Sequence, residues 1–473
     1  MGERMSRVIV AGAGRTGLAL AKAVKDQGHE VTVVVDAPLP AHVALELTQD
    51  GIASLLTKEA LTQMSKFVRI YASPGWRLDH PLFLAGVEVV GEVDFAWEVS
   101  QARAERLGEL APLWLAVTGT NGKTTTTEML QSILSADGLT SVACGNVGYP
   151  LISAVLDDEK YDVLAIELSS FQISRMKSAR PRASALLNVA EDHIDWHGTL
   201  EEYAQTKIAL LAASETSICN GDDPLLNSML TLATFTPDVT FTLDSPKRGE
   251  LGVVEELLVD RAFVEDPDHA AVSLAELGDI RPFAPHNVQN ALAASALARS
   301  IGIAEGSIAA GLRAFTPGSH RIAEILDEGG VKWINDSKAT NPHAAIASLK
   351  AFENVIWIAG GLLKGASVEQ LVVECGKRVK VALLIGQDRE EIAQLIAQHA
   401  PHVVVERVDV HIDPTPQEPG RQLMRNVVDR ARELAGSGDT VLLAPACASM
   451  DQFISYAERG NFFTEAVRGG GHV

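Results

Sequence analysis

Cysteine is scarce in this 473-residue chain, four residues in all, and none stands in a CxxC pair. Cys144, Cys219, Cys375 and Cys447 are too dispersed for a structural zinc site or a disulfide framework, and read as reduced thiols in packed regions. Basic charge is short as well: 40 Lys and Arg against 61 Asp and Glu leave a net charge of -21. A surface of that sign excludes broad binding to nucleic acid or to an acidic membrane, so an anionic substrate must be held by local groups. No apolar run approaches a membrane span, and MGERMSR leads straight into VIVAGAG without a signal-like apolar segment. A cytoplasmic location is expected. What the chain does have is 47% hydrophobic residues, ample for packed cores. Its length suits two to four domains at ~100 to 200 residues each, with three as the expectation.

The order of segments predicts an α/β fold. SRVIVAGAG, RTGLALAKAVKDQG and HEVTVVVDAP read as strand, Gly-rich turn with helix, and strand, the opening of a βαβ unit. VSQARAERLGEL reads as a helix leading out of a first domain, with a boundary near residue 110. LWLAVTG, YDVLAIELSS and ASALLNV begin a second parallel series, weaker between about residues 235 and 285. NVQNALAASALARS is then an Ala-rich helix with Asn287 a candidate cap. Pro317-Gly318 suits a linker, after which VKWINDSKAT, VIWIAGG, VALLIGQD and DTVLLAPACAS form a third series. The expected domains are residues 1–110, 111–317 and 318–473, and the terminal RGGGHV is an expected mobile tail.

Gly12-x-Gly14-x-x-Gly17 lies between strand and helix, and Asp36 closes the next strand. Small residues there let the backbone approach a diphosphate at a helix N-terminus, as in dinucleotide-binding folds, and by itself the motif suggests NAD or no more than a tight turn. TGTNGKTTTT, residues 118–127, is more specific: a Gly-rich loop between an apolar strand and a helix, with Lys123 for the β and γ phosphates and Thr124 for Mg²⁺. The strict phosphate-loop pattern wants Gly at position 117, where this chain has Val117. Glu167 ends the strand YDVLAIE, where such proteins often present an acid to the metal, and Glu191-Asp192-His193 follow another strand. Lys207, in EEYAQTKIALL, alone reads as a solvated helix residue. Asp336, Lys338 and Thr340 follow VKWI, and Lys364 follows VIWIAGG. These are ordinary turn residues, or a set suited to carboxylates and phosphates. An NAD-dependent oxidoreductase and a non-enzymatic phosphate-loop switch both remain open on these motifs alone.

Taken together, TGTNGKTTT, ELSSFQ, NVAEDHIDWHGTLEEYAQTK, HNVQNALAA, HRIAEI, WINDSKATNP and PACASMDQFISYAERGNFF resemble the Mur ligase family, in the same order over nearly the whole chain. WINDSKATNP and PACASMDQFISYAERGNFF are most similar to its D-glutamate-adding branch, which disfavours a sibling ligase or a folylpolyglutamate-type enzyme. The resemblance implies a Rossmann-like N-terminal domain for a UDP moiety, a central phosphate-loop ATPase domain and a C-terminal Rossmann-like domain for the amino acid. Its implied reaction joins D-glutamate to UDP-N-acetylmuramoyl-L-alanine through an acyl phosphate, with ATP and two Mg²⁺ ions, Mn²⁺ being an alternative. A monomer without nucleic-acid or membrane partners is expected.

Residue by residue, the resemblance places Gly14, Arg15, Thr16 and Asp36 at the UDP, joined by Ser73 and Gly75 of ASPG. Asn146, Ser169, Phe171, Gln172 and His193 would surround the muramoyl-alanyl portion. Around ATP it places Gly119, Thr120, Asn121, Gly122, Lys123, Thr124 and Thr125, then Asn287, Asn290, His320, Arg321 and Asp336. Thr124 and Glu167 would serve one metal ion, and His193 with Lys207 the other, Lys207 as a carbamate formed with CO₂. Lys123, Glu167, His193 and Lys207 are thus the implied catalytic set. Lys338, Thr340, Lys364, Ser449, Met450 and Tyr456 would take D-glutamate. Two departures stand out: Ala37 and Pro38 replace polar and basic residues found after Asp36 in some relatives, and Tyr456 stands where Phe is common.

Overall fold

The computed structural model describes residues 6–318, 320–409 and 418–469, so the last four residues of the expected tail lie outside the described residues. Three sheets follow one another along the chain. The first holds β1 (Arg7–Ala11), β2 (Glu30–Val35), β3 (Ala53–Leu56), β4 (Arg69–Ala72) and β5 (Glu88–Gly91), in the order β3-β2-β1-β4-β5. All its pairings are parallel, because a helix or longer crossover separates each strand from the next.

The second sheet is built from β6 (Leu113–Thr118), β7 (Ser141–Gly145), β8 (Val163–Glu167), β9 (Ala183–Leu186), β10 (Thr216–Asn220), β11 (Val239–Phe241), β12 (Glu250–Val254), β13 (Leu257–Asp260) and β14 (Val272–Glu276). Its order is β14-β13-β12-β11-β10-β9-β6-β8-β7. The weakly patterned stretch after residue 235 supplies β11 to β14, and only there do antiparallel pairs occur. β6 and β8 are flanked on both sides and wholly apolar up to their last residues, as strands covered on two faces must be.

The third sheet contains β15 (Ala323–Glu328), β16 (Val331–Asn335), β17 (Val355–Gly360), β18 (Val379–Ile385), β19 (Val404–Arg407) and β20 (Thr440–Leu443), ordered β15-β16-β20-β17-β18-β19. β15 is an antiparallel edge and the remaining pairings are parallel.

The chain divides into two compact units, residues 1–189 with 201–315, and residues 190–200 with 316–473. Within the first unit, one buried cluster draws Val8, Val10, Tyr71 and Phe95 from the first sheet and its helices together with Trp114, Ala116 and Ile166 of the second. The helix Glu92–Leu107 links them: Gly108, at φ 66, ends it in the left-handed region that glycine favours. Trp97 on that helix meets Trp114 edge-on, with ring centroids 4.9 Å apart.

One cap expectation is corrected. The Ala-rich helix spans Pro285–Arg299 and is capped at Ala284, with Asn287 already inside its first turn. Pro285 has φ preset for a first helical position and lacks an N–H that would go unbonded there, so the helix starts before Asn287. Asn287 is buried instead, donating from Nδ2 to the Pro282 carbonyl at 2.9 Å and accepting from Asn290 at 3.3 Å.

Candidate active site

The Gly-rich turn near the N-terminus lies at the carboxyl end of β1, and Gly14 caps the helix Arg15–Asp26. A side chain at Gly17 would strike the Gly12 carbonyl, so turn and helix can approach this closely only because residue 17 lacks a Cβ. Arg15 donates to the Gly148 carbonyl at 3.0 Å, and Thr16 stands beside it in the first turn. Asp36, just past β2, accepts from Thr57 at 2.7 Å and lies 3.2 Å from His80 Nε2. Ser73 donates to the Ala11 carbonyl, which brings the loop carrying Gly75 against the same turn.

The second phosphate-like loop joins β6 to the helix Lys123–Ala136. Gly122 caps that helix at φ 86, and a Cβ there would run into the Asn290 side chain. Asn188 braces the loop from below, accepting from the Asn121 amide at 2.8 Å and donating to its carbonyl at 3.1 Å. Lys123 Nζ donates to the carbonyls of Gly119 at 2.8 Å and Thr120 at 2.9 Å. Thr124 and Thr125 occupy the first turn of that helix, the end whose dipole and backbone N–H groups favour anions. Asn290 accepts from Thr126 at 3.3 Å, tying the Ala-rich helix to this loop.

Glu167 is the last residue of β8 and the cross-strand partner of Val117, one residue before the loop begins. It is 2% exposed, and Asn146 donates to its Oε1 at 2.9 Å. Beyond it, Ser169 caps the short helix Ser170–Ile173 and is bonded reciprocally to Gln172, with Phe171 between them. Gln172 Nε2 in turn donates to Glu92 at 3.0 Å.

Lys207 is not the solvated residue that its helix alone suggests. It is 1% exposed, lies over the Tyr203 ring at 4.6 Å and donates to the Gly119 carbonyl at 3.1 Å. That carbonyl also receives Lys123, so the two lysine nitrogens are no more than about 6 Å apart. Tyr203, which approaches Thr120 at 3.1 Å, and Asn188 belong to this constellation; both lie within NVAEDHIDWHGTLEEYAQTK, although neither is singled out there as a site residue.

Glu92 carries a testable consequence. Burial pushes its carboxyl up from 4.5 to about 7, opposed by the Gln172 hydrogen bond. The folded state therefore holds this proton more tightly than the unfolded one. Stability from this group is full below about pH 4.5 and is lost as pH rises through about 7, amounting to about 3 kcal/mol in total. E92Q cannot titrate there, so across that window the unfolding midpoint of the wild type should fall relative to that of the variant. Parallel curves would show that folding does not shift the Glu92 pKa.

In the second unit, the segment 190–200 contains His193, whose φ of 54 starts the short helix Ile194–His197. The other residues cluster at the carboxyl ends of β16, β20 and β17, three neighbouring strands. His320 accepts the Lys338 amide at 3.2 Å on its carbonyl, and its ring lies 3.0 Å from Asn335. Arg321 follows it, and the Ile322 amide donates to Asp336 at 3.4 Å. Burial pushes Asp336 up to about 6, against hydrogen bonds from Ser348 and Ile322 and the charges of Arg321 and Lys338. Lys338 Nζ lies 5.2 Å over the Tyr456 ring, while the Thr340 amide donates to the Lys338 carbonyl at 2.8 Å.

The loop holding Lys364 is laced to the one holding Ser449 and Met450. Leu362 and Ala448 exchange backbone hydrogen bonds of 2.9 Å, and Gly361, at φ 136, has no room for a Cβ beside the Ala448 carbonyl. Ser449 is buried there, whereas Met450 is exposed. Arg459, fully buried, completes the arrangement by donating to Ser337 Oγ at 3.0 Å, to the Ser337 carbonyl at 2.9 Å and to the Cys447 carbonyl at 3.2 Å. One guanidinium thus pins two of these loops to the helix Tyr456–Gly469. Sequence reasoning misses it because a lone Arg in a helix looks solvated.

Comparison with known proteins accounts for this pattern. The family model of the Mur ligase middle domain matches residues 117–298, and that of the Mur ligase, glutamate ligase domain matches residues 320–447. The chain is 46% identical to the UDP-N-acetylmuramoylalanine--D-glutamate ligase of Thermobifida fusca, covering 98% of each. It is 46% identical to that of Streptomyces coelicolor, over 98% of this chain and 97% of the relative, and 41% identical to that of Mycobacterium avium, over 98% and 96%. Among solved structures, the fold is shared with the UDP-N-acetylmuramate-alanine ligase MurC of Thermotoga maritima, at TM-score 0.57 and 16% identity over 98% and 100% of the two chains. The MurF ligase of the same organism, solved in complex with ADP, gives TM-score 0.57 and 17% identity over 99% and 100%. With both family models matched and relatives above 40% identity aligned from end to end, the chain belongs to the Mur ligase family.

Proposed function

We propose that the chain joins D-glutamate to the alanyl carboxylate of UDP-N-acetylmuramoyl-L-alanine at the expense of ATP, a step in making peptidoglycan precursors. The observation that carries this reading is the end-to-end similarity to relatives bearing that ligase name. The geometry agrees with it: a lysine-bearing phosphate loop in one unit, and a cluster of cations and hydroxyls at three strand ends in the other. An oxidoreductase reading leaves both features unused. Residues 1–110 would take the UDP portion, 111–317 the ATP and 318–473 the amino acid, as three domains of a monomer. With ATP and a nucleotide-linked precursor as substrates, the reaction is a cytoplasmic one.

An alanyl carboxylate oxygen attacks the γ-phosphorus, ADP departs, and the acyl phosphate forms. The amine of D-glutamate then attacks the acyl carbon, losing a proton as inorganic phosphate leaves. Lys123 and the N–H groups at the start of its helix hold the charge that gathers on the transferring phosphoryl group. Asn287, Asn290, Arg321 and Asp336 serve the nucleotide, with His320 supporting their loop.

The donor set fits Mg²⁺. Thr124 and the buried Glu167 offer hard oxygen ligands beside the phosphate loop. Among the described residues there is no group of three or more His, Cys, Asp or Glu that could hold a metal, which suits an ion carried largely by phosphate oxygens and water. When bound, Mg²⁺ would neutralise phosphate charge. Lys207 would reach a second ion, with His193, as a carbamate formed from its neutral amine and CO₂ with loss of a proton. Two ammonium groups sharing the Gly119 carbonyl repel each other, and conversion of Lys207 to an anion turns that repulsion into attraction.

Lys364, Thr340 and Ser449, with Lys338, Met450 and Tyr456 around them, would fix the two carboxylates of D-glutamate. D-Glutamate should support ADP release, while L-glutamate and D-alanine should be poorer by at least about 100-fold, since each leaves polar groups of the site unpaired. Lys364→Ala should impair D-glutamate use yet leave acyl phosphate formation, trapped by borohydride reduction, close to normal. Equal rates with the two glutamate enantiomers would overturn the assignment.

A further inference from the structure

Arg175 has a place in the first unit that the proposed reaction leaves unexplained. It follows the short helix Ser170–Ile173 and is only 8% exposed. Nη2 donates to the carbonyls of Trp76 at 2.8 Å and Arg77 at 3.2 Å, and the guanidinium lies 4.2 Å over the Phe83 ring. Among the described residues its hydrogen-bond partners are carbonyls, no carboxylate pairs with it, and its buried Nε has no partner. A buried cation in this state is costly unless something anionic completes it. Burial lowers its pKa to about 10, which leaves it charged at neutral pH.

The loop it grips is the one that leans on the first Gly-rich turn. A Cβ at Gly12 would come within 2.8 Å of Trp76 Nε1, so the indole N–H lies over the turn that precedes the helix Arg15–Asp26. Trp76 is held there by edge contacts with His80 and Phe83, at ring-centroid distances of 4.5 Å and 5.8 Å. After Asp36, Ala37 and Pro38 contribute neither a cation nor a side-chain donor. Trp76 Nε1 is thus a donor at the turn in addition to Arg15 and Thr16 of the helix that follows it.

We propose that Arg175 is a positioning residue for the UDP-bearing substrate: by holding the Trp76 and Arg77 carbonyls it presents the Trp76 indole N–H to the diphosphate over the Gly12–Gly17 turn. The uncompensated guanidinium charge further favours a dianionic group at that turn. This inference rests on the reading of the turn as the UDP site.

The test uses the full chain as wild type, Arg175→Met, Arg175→Lys and Trp76→Phe, with UDP and UMP as calorimetric probes and KM measured for all three substrates. Arg175→Met should raise KM for UDP-N-acetylmuramoyl-L-alanine about tenfold and weaken UDP similarly, with KM for ATP and D-glutamate and kcat within about threefold of wild type. Arg175→Lys should recover part of the loss. Trp76→Phe, which removes the N–H together with part of the indole ring, should reduce the preference for UDP over UMP. An unchanged KM for the nucleotide substrate in folded Arg175→Met, or an equal rise in all three KM values, would overturn the proposal. If Arg175→Met does not fold, an unchanged UDP-to-UMP preference in Trp76→Phe does so. Failure of wild type to release ADP in response to D-glutamate would instead overturn the functional reading, while UDP binding to wild type is read independently.

Discussion

Lys123→Ala should reduce ADP release in the presence of all three substrates by at least about 10³-fold while leaving the thermal midpoint nearly unchanged. The side chain donates to carbonyls of its own loop at Gly119 and Thr120, so these bonds stay within the loop it belongs to. Its removal takes away a fixed positive charge where the phosphoryl group transfers, and no nearby neutral donor replaces a charge there. Borohydride trapping should detect no acyl phosphate, which places the loss before amide formation. A folded variant that still forms acyl phosphate at near wild-type rate would remove Lys123 from the reaction.

Lys207→Ala should be comparably inactive, with a different signature: added formate or acetate should restore part of the rate, since a small carboxylate can supply the oxygens that a carbamate would. The 1% exposure of Lys207 and its contact with the Tyr203 ring describe an enclosed position that a small molecule could refill after truncation. Mass spectrometry of the intact wild-type chain, prepared with and without bicarbonate, gives a second readout through the added mass of CO₂. Full activity from bicarbonate-depleted protein with unmodified Lys207 would count against the carbamate.

Much of this was legible in the sequence because the informative residues are close neighbours along it. TGTNGKTTT carries the strand end, the turn glycines and the helix start in one stretch, and the structure places them as the spacing requires. The α/β character was legible from apolar strands separated by helical stretches, and the parallel pairings follow from those long connections. What spacing could not give is the burial of long polar side chains. Lys207 and Arg459 are charged side chains that, taken singly, read as solvated helix residues, and both are enclosed. Their partners, Gly119, Ser337 and Cys447, lie far away in sequence. The adjacency of the loops bearing Lys338, Lys364 and Ser449 was equally hidden, because it depends on β20 inserting between β16 and β17. Asn287 failed as a cap for a local reason: Pro285 claimed the start of the helix first.

The apolar cluster shared by the first two sheets bears on cooperativity. Trp114 and Ile166 are buried partly by residues that precede position 110, so cutting the chain there would strip cover from both halves. Neither half has a complete core of its own on that side, and the two should open and close as one cooperative unit. Binding at the Gly12–Gly17 turn therefore stabilises more than its own sheet: by mass action it also protects the phosphate loop, with no need for any change of shape.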